Sequence, residues 1–151
     1  MKKIYLITLF FFLNSCGFTP IYSSKESNYQ IIGFQKNVDN NFTNYIQNSI
    51  YVLSNKNSEK NFKITLEYKE EISVILKDSK GDPKKSRLNV NVNLFIFNEN
   101  DNLISSKEFS ENFEYNIDDN KFNLKQYEKT IKFNLVEDIT QQIQVYLANT
   151  K

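Results

Sequence analysis

The sequence predicts an α+β fold: a two-layer sandwich of order β-α-β-β-β-α, with two helices packed on one face of a four-stranded, mostly antiparallel sheet. Three observations carry that prediction. Phe62, Ile64, Leu66 and Tyr68 alternate with Lys63, Thr65, Glu67 and Lys69, and Ile72, Val74 and Leu76 keep the same parity. Leu88, Val90, Val92, Leu94 and Ile96 alternate in the same way with Asn89, Asn91 and Asn93. Leu124, Tyr127, Ile131, Leu135, Ile139, Ile143 and Tyr146 recur at steps of three and four. Alternation gives a strand one apolar face, and steps of three and four draw one apolar stripe along a helix. A sheet with one apolar face and helices with one apolar stripe satisfy each other in two layers.

The first strand is expected over residues 29–35, where Ile31, Ile32 and Phe34 cluster. Asp39 is placed to cap a helix over residues 40–54, whose Phe42, Tyr45, Ile46, Ile50 and Leu53 share one stripe. The polar run 55–58 ends it. The long second strand is followed by the turn-rich run 78–83, with Gly81 and Pro83, and then by the third strand. Asn98 to Asn102 form a polar hairpin turn, and Phe109, Phe113 and Tyr115 mark the apolar parity of a fourth strand. Strands two to four thus form an antiparallel meander. Asp118 or Asp119 is placed to cap the last helix. Phe95 and Phe97 lie on the parity opposite the main apolar row and are expected to pack at the core or its edge, with a barrel wall as the other reading.

The first fifteen residues have the three-part design of a secretory signal peptide: Lys2 and Lys3, an apolar run from Ile4 to Leu13, then Asn14 and Ser15. The run is half the roughly 20 residues that a membrane-crossing helix needs. Leu13-Asn14-Ser15-Cys16 resembles the lipobox of bacterial lipoproteins, in which the cysteine is cleaved free at its amino side and lipidated. The resemblance implies a leader over 1–15, a lipidated tether over 16–28 and one folded domain over 29–151. Two or more acyl chains anchor stably, since each buried methylene contributes about 0.8 kcal/mol.

Composition narrows the function classes. There is no His, and Cys16 is the only Cys, so an intrachain disulfide and nearly all zinc, copper, haem and thiolate-cluster sites are excluded. Nineteen basic residues oppose eighteen acidic ones, and Lys2 and Lys3 belong to the leader. The remainder is near neutral and carries no electrostatic footprint for nucleic acid. Three glycines, Gly17, Gly33 and Gly81, build no phosphate cradle. Glu70-Glu71 point to opposite faces of a strand, and Asp118-Asp119 suit a helix cap, so neither pair reads as a general acid and base. The expectation is a non-enzymatic protein with no cofactor beyond the covalent lipid.

The segment Cys16-Gly17-Phe18-Thr19-Pro20-Ile21-Tyr22 resembles the Cys-Gly-Phe-x-Pro-Leu-Tyr opening of the lipopolysaccharide-assembly lipoproteins. Gly81-Asp82-Pro83-Lys84-Lys85-Ser86-Arg87-Leu88 resembles their loop and strand, and the element order extends the resemblance over nearly all of the domain. The resemblance implies a plug and assembly partner of the large outer-membrane β-barrel of the lipopolysaccharide translocon, on the periplasmic side, with lipopolysaccharide as a further partner. Gly17 stands where an Asp signals inner-membrane retention in lipoproteins that resemble this one, which implies the outer membrane. The alternative is an auxiliary lipoprotein of a lipid-trafficking ABC transport system.

Lys77, Lys80, Lys84, Lys85 and Arg87 gather around the second hairpin, and Lys121 precedes the last helix. Lys and Arg pair with phosphate, so these are the candidate contacts for lipopolysaccharide or another anion, with Lys77 foremost. A solvated loop has the same composition.

Overall fold

The computed structural model describes residues 29–150. The expected leader, the expected lipidation site at Cys16 and the expected tether, with the opening at 16–22, lie outside the described residues. The elements are β1 (Gln30–Lys36), α1 (Asn41–Val52), β2 (Asn61–Lys77), β3 (Pro83–Phe97), β4 (Leu103–Asn116) and α2 (Lys121–Asn149). They form an α+β two-layer sandwich with sheet order β1-β2-β3-β4. β2, β3 and β4 pair antiparallel. β1 lies parallel to β2, which requires a crossover, and α1 is that crossover.

Each helix begins at an asparagine. Asn40 Oδ1 accepts the backbone N–H groups of Phe42 and Thr43 at 2.9 Å each, and Thr43 Oγ1 accepts the Asn40 N–H at 3.1 Å. Asn120 Oδ1 plays the same part for Phe122 and Asn123. The sequence placed these caps one or two residues earlier, at Asp39 and at Asp118 or Asp119. Asp39 instead pairs with Lys36 at 2.9 Å, and Asp118 accepts the N–H of Asn120.

The core lies between the layers. Leu88, Val90, Val92, Leu94 and Ile96 of the central strand β3 are fully buried, beneath Ile131, Leu135, Val136, Ile139, Ile143 and Leu147 of α2. Tyr29, Phe62, Ile64, Leu66 and Tyr68 continue the core toward β1 and α1, with Tyr29 stacked on Phe62 at 5.6 Å. Fully burying a side chain of this size contributes roughly 1.5–3 kcal/mol.

The sheet outruns its helices. Phe42, in the first turn of α1, stacks on Tyr68 at 6.3 Å, and beyond that point Ile72 and Val74 are 48% and 45% exposed. The apolar parity expected to run to Leu76 breaks at a bulge, where the register shifts between Val74 and Leu76. Phe113 holds the core parity of β4, yet it is half exposed.

Both hairpins close with one turn design. Asp78 Oδ1 accepts the N–H groups of Lys80 and Asp82, and Asn98 Oδ1 accepts those of Asn100 and Asn102. Gly81 (φ 91°) and Asp101 (φ 61°) occupy the equivalent left-handed position.

Candidate functional site

Two surfaces remain once the core is built: the sheet face away from the helices, and the end of the molecule where the β2–β3 hairpin turns. The first follows from alternation. With β3's even-numbered residues turned to the helices, Asn89, Asn91 and Asn93 point the other way. Strand register sets them in rows with their neighbours: Glu67, Asn93 and Glu108 lie across the sheet, then Lys69, Asn91 and Ser110, then Glu71, Asn89 and Asn112. Ser110 donates to Asn91 at 2.6 Å, and Asn93 reaches Glu67 at 3.4 Å. In these rows Glu67, Glu71 and Glu108 outnumber Lys69, so the face is polar and mildly acidic. Its hollow beside Asn37, Glu67, Asn91 and Glu108 is shallow and open. Phe95 and Phe97 lie on this face, half buried and outside the core cluster. Phe97 lines a depression with Phe34 and Lys63. They do not join the core itself, because the parity that buries Leu94 and Ile96 turns them outward.

The second surface gathers the predicted cations. Lys77 ends β2 opposite Pro83, Lys80 lies in the turn, and Lys85 pairs in register with Asn116, shortly before α2 starts at Lys121. All six predicted cations therefore sit at one end of the fold. They are not equivalent. Arg87 meets Glu114 at 2.5 Å and Lys85 meets the same carboxylate at 2.6 Å, so both are paired across β3 and β4 with one shared anion. The Arg87 guanidinium, then the Lys85 ammonium, hold Glu114 down at about 2. Lys84 lies 3.8 Å from Asp78. Lys77, Lys80 and Lys121 are exposed and form no ion pair among the described residues. Asp82, Asp118 and Asp119 share this end, so its net charge is small.

Three buried or half-buried phenols complete the electrostatics. Tyr68 donates to Glu70 at 2.6 Å and Tyr115 to Glu128 at 2.5 Å. Burial, then the neighbouring carboxylate, pushes both phenols well above their ordinary value. Burial alone raises Tyr29 to about 12. Tyr68 bonds within β2 and stacks on Phe42 of α1, and Tyr115 ties β4 to α2. Among the described residues, no three His, Cys, Asp or Glu side chains are grouped to hold a metal ion, and no helix is long and apolar enough to cross a membrane. Sequence reasoning missed the Glu114 clamp on Lys85 and Arg87 and the Glu70 contact with Lys132, each between residues more than 25 positions apart.

No protein-family model matches the chain. No curated protein matches it at a significant level. Solved structures do share its fold. A minor lipoprotein of Acinetobacter baumannii superposes with a TM-score of 0.64 at 13% identity, over 81% of this chain and 91% of that one. The rare lipoprotein B of Shewanella oneidensis gives 0.58 at 10% identity, over 80% and 97%. A lipoprotein B of Nitrosomonas europaea gives 0.58 at 12% identity, over 84% and 92%. At these identities the likeness is one of fold: the helix-on-sheet sandwich described above is an architecture that this chain shares with bacterial lipoproteins.

Proposed function

We propose that this protein is an outer-membrane lipoprotein, anchored by lipid on Cys16, that assists lipopolysaccharide assembly as the plug and assembly partner of the translocon β-barrel. It acts by shape and binding, with no catalysed reaction and no cofactor beyond the lipid. The observation that carries the reading is the sheet face free of helices, on which β3 sets Asn89, Asn91 and Asn93 between polar neighbours. A large outer-membrane barrel has a polar lumen, and amides and hydroxyls meet such a wall through hydrogen bonds in either direction. The fold shared with lipoproteins and the Cys-Gly-Phe-Thr-Pro-Ile-Tyr opening support the same reading. Lys77, Lys80 and Lys121, the cations without an internal ion pair, are the proposed contacts for lipopolysaccharide phosphate. Lys84 is secondary, and Lys85 and Arg87 are held by Glu114.

The test is to isolate the tagged full-length protein from detergent-solubilised outer membrane of its own cell after gentle crosslinking. A large barrel recovered in equal amount supports the plug. Recovery with inner-membrane transport subunits, or with no barrel, refutes it and leaves the auxiliary-transport role. Replacing Asn91 and Asn93 by Lys is expected to release the barrel while the isolated domain keeps its fold.

A further inference from the structure

Among the described residues, the edge of β2 is open over a short and sharply bounded stretch. β1 covers β2 as far as Leu66, whose carbonyl accepts the Asn37 N–H at 3.2 Å. Asn37 then substitutes for one more strand residue: its side-chain oxygen accepts the Tyr68 N–H at 2.9 Å, and its amide donates to the Tyr68 carbonyl at 3.1 Å. Residues two apart on a strand present their N–H and C=O groups to the same side. The backbone groups of Glu70, Ile72 and Val74 therefore point outward on this edge, and no strand among the described residues pairs with them. The bulge between Val74 and Leu76 closes the stretch at its far end. Its helix side is uncovered too, since Ile72 and Val74 lie beyond the reach of α1.

We infer that this edge pairs with the same edge of a second copy of the chain, antiparallel, with Ile72 on the two-fold axis. In that register Glu70 faces Val74 of the second copy, Ile72 faces Ile72, and the outward groups of all three residues are used on both chains. On the polar side Glu71 faces Ser73. Moving the axis to Glu71 opposes two carboxylates directly and demands the Tyr68 backbone, which Asn37 already holds. Moving it to Ser73 requires pairing through the bulge. The charge pattern and the two boundaries thus select one register, and the half-exposed Ile72 and Val74 of both copies merge into one apolar patch across the axis. The other sheet edge is unsuited to this, because β4 places Lys107 and Glu111 on its helix-facing parity, where Lys107 lies over Tyr146 at 4.9 Å and Glu111 accepts Gln142 at 2.6 Å. The pairing therefore closes at two copies. Six backbone hydrogen bonds and one small patch fall short of a standard interface of about 1,600 Å², so the dimer is weak and depends on concentration.

The test uses the full-length chain in detergent micelles, followed by sedimentation across a concentration series. A monomer–dimer equilibrium is expected, with Ile72→Lys weakening it about tenfold or more, because two like charges meet on the axis. Val52→Lys, at an exposed site on α1, leaves the equilibrium unchanged. Unaltered circular dichroism of Ile72→Lys shows that the fold persists. Hydrogen exchange gives a second readout: the Glu70, Ile72 and Val74 amides gain protection as concentration rises, while those of Glu71 and Ser73, directed to β3, do not change. A strictly monomeric chain overturns the inference, as does a dimer indifferent to Ile72→Lys. Protection of these three amides only when a different protein is added assigns the edge to that partner and overturns it equally.

Discussion

Glu70 of β2 and Lys132 of α2, 62 residues apart in sequence, meet at 2.6 Å. The same carboxylate accepts the Tyr68 phenol at 2.6 Å, and the Lys132 ammonium lies 5.5 Å from the centre of the Phe42 ring on α1. One carboxylate thus joins the sheet to both helices at the point where helix cover ends. Glu70→Gln is expected to lower unfolding free energy by about 0.5–1 kcal/mol, because the carboxylate is partly exposed and its ion pair is screened. Combining it with Lys132→Met in a double-mutant cycle measured by urea unfolding should give a non-additive term. Simple additivity would mean that the pair contributes nothing.

The raised phenols predict how the fold responds to alkali. In the unfolded chain a tyrosine loses its proton near its ordinary value of about 10. In the folded chain Tyr29 holds its proton to about 12, and Tyr68 and Tyr115 hold theirs still higher. Their contribution to stability is therefore complete below the unfolded value and is lost as pH rises through the folded ones. In an ultraviolet absorbance titration Tyr29, Tyr68 and Tyr115 should ionise only together with loss of circular dichroism. Ionisation of these three before any loss of circular dichroism would contradict the packing of Tyr29, Tyr68 and Tyr115.

Glu114 gives the acid counterpart. Its carboxyl is held at about 2 by Arg87 and Lys85, so its stabilising effect is present above the ordinary glutamate value and is lost as pH falls toward 2. Carbon-detected NMR titration should find its midpoint well below the ordinary glutamate value. Arg87→Gln should move that midpoint back toward the ordinary range. A midpoint that ignores this substitution would remove the clamp from the account of the basic end.

Gly81 occupies a left-handed turn position with φ 91° and open space where a Cβ would stand. Gly81→Ala therefore meets no clash, and its cost is the backbone conformation alone, about 1–2 kcal/mol by thermal unfolding. Pro83 and Asp78 keep the rest of the turn in place, so the change should leave the sheet intact.

Ile139 is fully buried on α2. Ile139→Ala leaves a cavity under the helix and should cost about 2–5 kcal/mol in urea unfolding. Val52→Ala, at an 83% exposed site on α1, should change stability by less than about 0.5 kcal/mol.

Element order and strand parity were legible in the sequence because both are written in local spacing. Phe62 to Tyr68 and Leu88 to Ile96 state directly which side is buried. Element ends were less legible. Asn and Asp cap equally well, and in an Asn-rich chain Asp39 and Asn40 cannot be ranked without the backbone that follows. β3 begins at Pro83 and β4 at Leu103, well before their apolar rows, since ladder hydrogen bonds extend a hairpin without regard to hydrophobicity. The basic cluster was visible as a run of lysines. Which of its charges are already spent was not, because Glu114 reaches Lys85 and Arg87 only through strand register.

The parallel placement of β1 has one further consequence. The polypeptide enters the sheet at Gln30 beside Asn61, whereas Lys77 and the hairpin turn lie at the far end of the same 17-residue strand, about 50 Å away at ~3.3 Å per residue. Under the proposed lipid anchor at Cys16 the domain is a lever whose root and tip are separated by more than the thickness of a bilayer's hydrocarbon core. Small changes of tilt at the root sweep the lysine-bearing tip through a wide arc, and shortening the hairpin would change its reach without disturbing the core.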